Sequence, residues 1–234
     1  MPRINHLIAF LSASAWGYLI YYHWLADSGL LVSSSENLYF LFSMWAIMMA
    51  AMMLPSAIPM ISAFSQSSIK HYGKSFPYSY LFVFAYLFIW MIFSLLLSML
   101  QWQLIKLEIL VESTGTVSTW LSSILFILAG VYQFTSLKNI CLKHCQSPFG
   151  FLLNHWQPGK SGAFKMGLTH GGLCVGCCWA QMLLMFAVGL MNINAMALLT
   201  LFIALEKSLP ANKQFISQLA GGLFCLWGGL ILFI

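Results

Sequence analysis

A cluster of one histidine and three cysteines is the part of the sequence best suited to chemistry. It lies in the run His170-Gly-Gly-Leu-Cys174-Val-Gly-Cys177-Cys178. On a helix that advances about 100° per residue, these four side chains share roughly a quarter of the circumference over about two turns. Thiolate and imidazole are ligands that suit copper(I) and zinc. A single cysteine here would indicate packing, but four such groups on one face predict a metal site or a set of redox-active thiols.

One helix cannot surround a tetrahedral ion with its own side chains, so a second segment must supply ligands. Cys141 and Cys145 are the obvious candidates, because residues four apart share a face if the preceding helix continues through them. His144 and His155 lie nearby and are further candidate ligands. The alternative for both histidines is that they are solvated loop residues.

A methionine stripe is predicted on the second apolar segment. Met44, Met48 and Met52 follow one another at steps of four residues, and Met49 and Met53 widen the stripe to one side. Thioether ligands select copper(I) over zinc, so Met48, Met49, Met52 and Met53 are a candidate metal relay from the outer side. The alternative is that methionine serves as a flexible filler of irregular packing. Pro55 and Pro59 should kink this helix and free carbonyls that line a cavity.

The composition predicts an integral membrane protein. Hydrophobic residues make up 61% of the 234 residues and charged residues only 6%, and apolar runs near 20 residues are long enough to span a bilayer. We expect an all-α, polytopic transmembrane helical bundle, with residues 1–234 as a single integral membrane domain. The seven expected spans are about 4–25, 38–64, 78–104, 117–137, 166–190, 194–209 and 215–233. Residues 138–165 are expected to form a cytoplasmic loop that carries Cys141, His144 and Cys145.

Basic residues accumulate in cytoplasmic loops, and this fixes the expected orientation. With seven spans and a cytoplasmic N-terminus, only Lys106 lies outside. The basic residues placed inside are Arg3, Lys70, Lys74, Lys138, Lys143, Lys160, Lys165, Lys207 and Lys213. The thiols are therefore expected on the cytoplasmic side of the membrane, which is reducing and disfavours structural disulfides. The basic residues are spread among short loops, so the net charge of +5 does not indicate nucleic-acid binding.

Two further features accompany the cysteines. Glu206 adjoins Lys207 at the end of the sixth span, and a carboxylate at membrane depth is a candidate functional group and metal ligand. The alternative is a pair that snorkels to the interface. Two G-x3-G patterns, at 167–171 and 172–176, predict close packing of the fifth helix against a neighbour. Cys225 stands alone and is expected to pack.

Several of these motifs together resemble a known bacterial family, that of predicted metal-binding integral membrane proteins, a domain of unknown function. The resemblance implies metal binding in a multi-pass membrane protein and covers most of the chain beyond the first span. The stretches that carry it are Met44-Trp45…Met48-Met49…Met52-Met53-Leu-Pro55-Ser56…Pro59, Tyr132-Gln133…Leu137-Lys138…Cys141…His144-Cys145…Ser147-Pro148, Gly162-Ala163…Gly167…His170-Gly171…Cys174…Gly176-Cys177-Cys178-Trp179-Ala180, Met191-Asn192 and Glu206-Lys207.

The sequence predicts a membrane protein that binds a soft metal, copper(I) first and zinc as the second choice. Its role would be metal transport, delivery or metalloenzyme assembly, with a metallochaperone or metalloenzyme as partner and no enzymatic activity of its own. A membrane thiol–disulfide oxidoreductase is the alternative, because Cys174 and Cys177 have C-x-x-C spacing. A non-catalytic membrane subunit whose cysteines only pack is the third interpretation. The sequence has no nucleotide-binding loop, so a nucleotide is not an expected partner and any transport would not be powered by ATP hydrolysis in this chain.

Overall fold

The computed structural model of the protein describes residues 2–27, 37–73, 76–111, 116–190, 192–208 and 213–233. Over these ranges the chain is α-helical apart from one antiparallel pair of two-residue strands, β1 (Leu110–Val111) and β2 (Thr116–Val117). The helices are α1 (Pro2–Asp27), α2 (Leu38–Tyr72), α3 (Phe76–Lys106), α4 (Thr119–Gln133), α5 (Ser136–Gln146), α6 (Pro148–His155), α7 (Gly159–Val188), α8 (Ile193–Ser208) and α9 (Lys213–Ile231). The predicted all-α class is confirmed.

Three helices are long and apolar enough to cross a membrane, namely α2, α3 and α7. A fourth crossing is reached only if α4 and α5, which meet at a bend of 66°, count as one broken span. The predicted count of seven spans is not supported within the described residues. The helix α8 has only 16 residues, the apolar part of α9 is also short, and α1 interrupts its apolar residues with serine, histidine and tyrosine.

One of the three long helices runs opposite to the other two, and the two ends of the group differ in charge. At one end the Gly159 amide donates to the Tyr72 hydroxyl over 2.8 Å. At the other end the Trp45 indole donates to Gln101 over 2.7 Å. The helices α3 and α7 are therefore parallel to each other and antiparallel to α2. The exposed lysines of α2 and α7 gather at the first end, and the exposed Lys106 lies at the second. The first set is Lys70, Lys160 and Lys165.

Two of the lysines counted as loop charges do not lie in loops. Lys138 is fully buried and Lys207 is only 9% exposed, each within hydrogen-bonding distance of polar side chains inside the bundle. They cannot contribute to a loop-charge argument, and this corrects the predicted distribution. Lys74 lies outside the described residues, and the side chains of Arg3 and Lys213 are likewise not described.

The segment 138–165, expected to be a loop, is largely helical. A new helix, α5, begins after Phe134, where the Thr135 side chain accepts a hydrogen bond from the Lys138 amide over 3.4 Å and caps the helix. The buried face of α5, formed by Lys138, Cys141 and Leu142, packs into the bundle beside α7. The next helix, α6, occupies residues 148–155 of the same segment, and α7 begins at Gly159 rather than at 166. The cysteines of α5 are thus held by a helix.

The prolines of α2 lie inside a helix that continues from Leu38 to Tyr72. Because Pro55 has no amide hydrogen, the carbonyl of Ala51 lacks its helical donor. The Trp16 indole donates to this carbonyl over 3.1 Å, and the Ser12 hydroxyl over 3.3 Å. The freed carbonyl therefore joins α1 to α2 rather than lining a cavity.

The first G-x3-G pattern brings α7 against α3, as the sequence predicted. A Cβ atom added at Gly167 would clash with the Phe82 carbonyl, and one added at Gly171 would lie 3.0 Å from the Ile89 side chain. The second pattern is split. Gly172 has nothing within 4 Å of the added position, and Gly176 faces the Cys141 sulfur at 2.9 Å. Three of the four glycines are thus required by close neighbours.

The glycine contacts yield a paired test of this packing. We expect Gly167→Ala to lower the free energy of unfolding by about 1–3 kcal/mol, because the Phe82 backbone cannot move without separating the helices. Gly172→Ala is the matched control and should leave stability unchanged or slightly higher, because alanine favours a helix. Unfolding in mixed micelles measures both, and equal stability of the two variants would contradict the packing described here.

Candidate metal site

Cys174 lies at the centre of the candidate site, near the middle of the 30-residue helix α7. Its side chain is buried, with 1% exposed. The Lys207 ammonium group of α8 donates to the Cys174 sulfur over 3.1 Å. The hydroxyl of Tyr86, on α3, lies 3.3 Å from the same sulfur. Three helices thus place a thiol, an ammonium group and a phenol in contact.

Cys177 and Cys178 complete a group of three buried thiols on α7. Both thiols donate to the backbone carbonyl of Cys174, over 3.1 and 3.0 Å. Such bonds to the preceding turn are the default for a cysteine inside an apolar helix, because the carbonyl is the nearest acceptor. The three sulfurs therefore lie on one face of the helix, within little more than one turn.

The second pair of cysteines reaches the same place from α5. The Cys145 thiol lies within interaction range of the thiols of Cys174 and Cys177. Cys141 packs against the glycine at position 176 and faces Cys177. All six cysteines of the chain are free thiols, and Cys225, apart from the others, packs between α9 and α4, against Gly130. Five thiols from two helices therefore meet in one region.

His170 lies one turn before Cys174, and only 3% of it is exposed. Its ring stacks with Phe82 and Tyr86, with centroid separations of 5.9 and 5.6 Å. Its Nδ1 atom has no hydrogen-bond partner among the described residues. Because leaving a buried polar atom unpaired costs free energy, the nitrogen is available to a ligand that reaches the sulfurs.

The donor set suits a soft ion, although its side chains do not yet converge. Among the described residues, no three His, Cys, Asp or Glu side chains are arranged to hold a metal ion as they stand. The reason lies in the hydrogen bonds just described, since two thiols point at a backbone carbonyl and Lys207 sits against the third. Coordination would require rotation of these thiols about χ1 and movement of the ammonium group.

A second polar cluster lies beside the thiols and contains a buried ion pair. The Lys138 ammonium group donates to both carboxylate oxygens of Glu206, over 2.7 and 2.9 Å, and also to Gln133. Gln181 of α7 donates to the Glu206 carboxylate over 3.3 Å, and Gln146 donates to the Glu206 backbone carbonyl over 2.6 Å. Both ends of α5 are therefore anchored to one residue of α8.

The environment of Glu206 is neither a metal site shared with the thiols nor the membrane interface, which were the two interpretations of the sequence. Its side chain is 2% exposed, so it does not snorkel to an interface. Its oxygens face Lys138 and Gln181, whereas the neighbouring Lys207 faces the thiols. The structure thus separates this candidate ligand from the sulfur cluster and gives it an ionic partner on the helix that carries Cys141 and Cys145.

The remaining candidates lie on either side of the thiols. Met48, Met49, Met52 and Met53 are all buried on α2. The carbonyl of Met53 accepts a hydrogen bond from Tyr86 over 3.3 Å, and the same hydroxyl touches Cys174. The methionine stripe therefore ends beside the cluster. His144 and His155 are half-buried and lie together, with a ring-centroid separation of 5.9 Å.

Polar side chains that were not predicted to belong to the site also surround the sulfurs. Lys207 also donates to the Ser56 hydroxyl over 2.9 Å, which joins α8 to α2. Neither Ser56 nor Tyr86 carries a distinctive spacing, so periodicity could not have identified them. Lys138 and Lys207 each lie near the end of an apolar segment, where a lysine can face either solvent or a buried partner, so their burial carried no local signal either.

A comparison with protein families bears on which metal the site would handle. Residues 42–231 match the model of a protein family, PpoB2, described as copper chaperone. The chain belongs to the copper chaperone family. This membership refines the resemblance to predicted metal-binding membrane proteins, and it supports the handling of copper in particular. No curated protein and no solved structure matches the chain significantly.

The buried ion pair gives a test of how α5 is held. Glu206→Gln leaves the Lys138 ammonium group unpaired, so we expect a loss of about 3–5 kcal/mol in stability. The double variant Lys138→Met/Glu206→Met removes both charges and should recover at least about 2 kcal/mol of that loss. Unfolding in detergent micelles provides the measurement. A double variant no more stable than Glu206→Gln would contradict the pairing.

Proposed function

We propose that this protein is an integral membrane copper chaperone, which binds copper(I) at the Cys174 cluster and delivers it to a metalloenzyme. The observation that carries the proposal is that α5 and α7 bring their thiols into one region, with Cys141 against Gly176 and Cys145 close to Cys174 and Cys177. A thiol cluster that only packed within α7 would not need partners from a second helix. Membership of the copper chaperone family supports copper as the metal.

Copper(I) is the cargo in this proposal, and the thiols are its principal ligands. Thiolates select copper(I), which accepts few ligands and tolerates changes among them. Cys174, Cys177, Cys178 and Cys145 would share its coordination, with Cys141 and His170 at the margin of the site. Ligation requires thiolates, so binding releases protons to solvent and weakens as the pH falls. Zinc is the competing ion that the same thiols would accept.

The charge difference along the bundle supports an orientation. The ends of α2 and α7 that carry the exposed Lys70, Lys160 and Lys165 would face the cytoplasm, because basic residues favour that side. Lys106 would lie at the opposite surface. The helices α2, α3 and α7 would then cross a bacterial inner membrane. The broken pair α4–α5 would bring the second set of thiols to the middle of the bundle, since irregular backbone inside a membrane occurs where protein covers it.

The methionine stripe gives the chaperone a route for its cargo. Buried thioethers on α2 extend from the end opposite the exposed lysines towards Tyr86 and Cys174. Thioethers bind copper(I) more weakly than thiolates do, so an ion passed along Met48, Met49, Met52 and Met53 would come to rest at the thiols. The partner would be a metalloenzyme that takes the ion, or a metallochaperone that supplies it.

Copper content is the direct test of the proposal. Protein purified anaerobically in detergent and offered copper(I) should hold about one equivalent, measured by elemental mass spectrometry. The triple variant Cys174→Ser/Cys177→Ser/Cys178→Ser should lose it, and Cys225→Ser is the matched control, because this thiol lies apart from the cluster and should keep it. Equal trace copper in the wild type and the triple variant would contradict copper binding. Preferred retention of zinc would reassign the ion, and a disulfide that forms and breaks with turnover would favour an oxidoreductase.

The relay has its own expected signature. The double variant Met52→Leu/Met53→Leu keeps the apolar volume, so stability should change by less than about 1.5 kcal/mol per site. We expect normal copper content but slower copper transport into proteoliposomes loaded with a copper(I) chelator. Met196→Leu, which is equally buried on α8, is the control. Unchanged transport in the double variant would assign these methionines to packing alone.

A further inference from the structure

Two histidines lie together outside the buried thiol cluster. His144 is in the last turn of α5, and His155 is the last residue of α6. Their ring centroids are 5.9 Å apart, with the ring planes at 76° to one another. Both side chains are half-buried, whereas Cys174 and Cys177 are 1% and 2% exposed. The pair is therefore accessible from outside the bundle, and the cysteines on α7 are not.

The hydrogen bonds of the two rings leave the same nitrogen available on each. The Nδ1 atom of His144 lies 2.9 Å from the Ile140 carbonyl, and that of His155 lies 3.2 Å from the Phe151 carbonyl. A carbonyl can only accept, so Nδ1 carries the hydrogen in both rings. In the neutral ring Nε2 then presents a lone pair. Metal-binding histidines use this arrangement, in which a backbone carbonyl fixes the tautomer and orients the ring.

The separation of the rings is compatible with one shared ion. A metal–nitrogen bond of about 2.0–2.1 Å places an ion roughly 3.2 Å from each ring centroid. Two rings that bind opposite sides of one ion would then have centroids roughly 6.4 Å apart, and a bent arrangement would shorten this distance. The observed 5.9 Å falls just inside the limit. Two imidazoles suffice for copper(I), which accepts few ligands, and imidazole suits copper.

Both histidines adjoin residues that reach the thiol cluster. His144 is followed directly by Cys145, whose thiol lies close to those of Cys174 and Cys177. His155 stacks on Phe151 at 4.8 Å, and Phe151 packs edge-on against His170 at 5.6 Å. One histidine is thus linked to the cluster along α5 and the other through an aromatic contact.

We propose that His144 and His155 form a second copper(I) site, an accessible one through which the buried thiol cluster exchanges its cargo. This inference rests on the proposed function and adds the place at which copper(I) is exchanged with a carrier. The step is a ligand exchange without redox chemistry. Copper–imidazole bonds break, copper–thiolate bonds form first at Cys145, the two imidazoles remain neutral, and the thiol protons pass to solvent. The partner, which stays outside the helical bundle, is a copper(I) carrier. Copper(I) leaves the ligands of this carrier and binds the two imidazoles.

The site is tested first by equilibrium binding, with the main thiols removed. The full chain carrying Cys174→Ser/Cys177→Ser/Cys178→Ser is titrated anaerobically with copper(I) against a chromophoric copper(I) chelator. We expect one residual equivalent, measurable at equilibrium but held too weakly to survive purification, whose affinity falls at least tenfold when His144→Ala/His155→Ala is added. His71→Ala is the matched control, because this exposed histidine also lies against an aromatic ring, that of Trp156, and should change nothing. Absence of the residual equivalent, or an equal loss in the control, would overturn the proposal.

Loading kinetics separate the accessible site from the thiol cluster. With all cysteines present, His144→Ala/His155→Ala should slow copper uptake from the chelator complex about tenfold and leave unchanged the copper that the thiols retain after purification. If the alanine variants do not fold, His144→Gln/His155→Gln serves instead, since the amide can still donate to the carbonyls but is a poor copper ligand. An unchanged uptake rate would overturn the proposal. Failure of the wild-type thiols to hold copper would refute the proposed function, and the serine-background titration would still decide the histidine site.

Discussion

The bend between α4 and α5 is the constraint on which the candidate site depends. A single helix presents ligands to only one side of an ion, so the cysteines of α7 need a second segment at the same depth. The 66° bend sends α5 across the bundle instead of out of it. Capping by Thr135 makes this change of direction inexpensive, because the new helix begins with a satisfied amide. Five thiols meet as a result.

Buried charged side chains of α8 then hold α5 and α7 in the positions that the bend allows. Glu206 and Lys207 are neighbours in sequence, yet they serve different clusters, the first through Lys138 and the second through Cys174. About 100° separates adjacent side chains on a helix, so one turn of α8 contacts both α5 and α7. In an apolar bundle neither cation can lose its partner at low cost. The position of α8 is thereby tied to that of the thiols.

Local pattern predicted the parts of the site, and tertiary structure determined their arrangement. The shared face of Cys174, Cys177 and Cys178 follows from helical periodicity alone, as does the methionine stripe. The G-x3-G pattern predicted a close neighbour at Gly167 but not that this neighbour is α3. The bend after Phe134 could not be predicted, because the sequence on both sides favours a helix. Burial of Lys138 and Lys207 was missed for a related reason, since a lysine near an apolar boundary has the same local pattern whether it faces solvent or a partner inside.

The most direct test of copper ligation by these thiols is X-ray absorption at the copper edge, on protein loaded with one equivalent of copper(I) in detergent. We expect a first shell dominated by two or three sulfur atoms at about 2.3 Å, close to the distance of zinc–thiolate bonds. Cys145→Ser should replace one sulfur by a lighter atom, because this residue supplies the bond from α5. A first shell of nitrogen and oxygen alone, or a spectrum insensitive to the cysteines of both helices, would contradict the assignment.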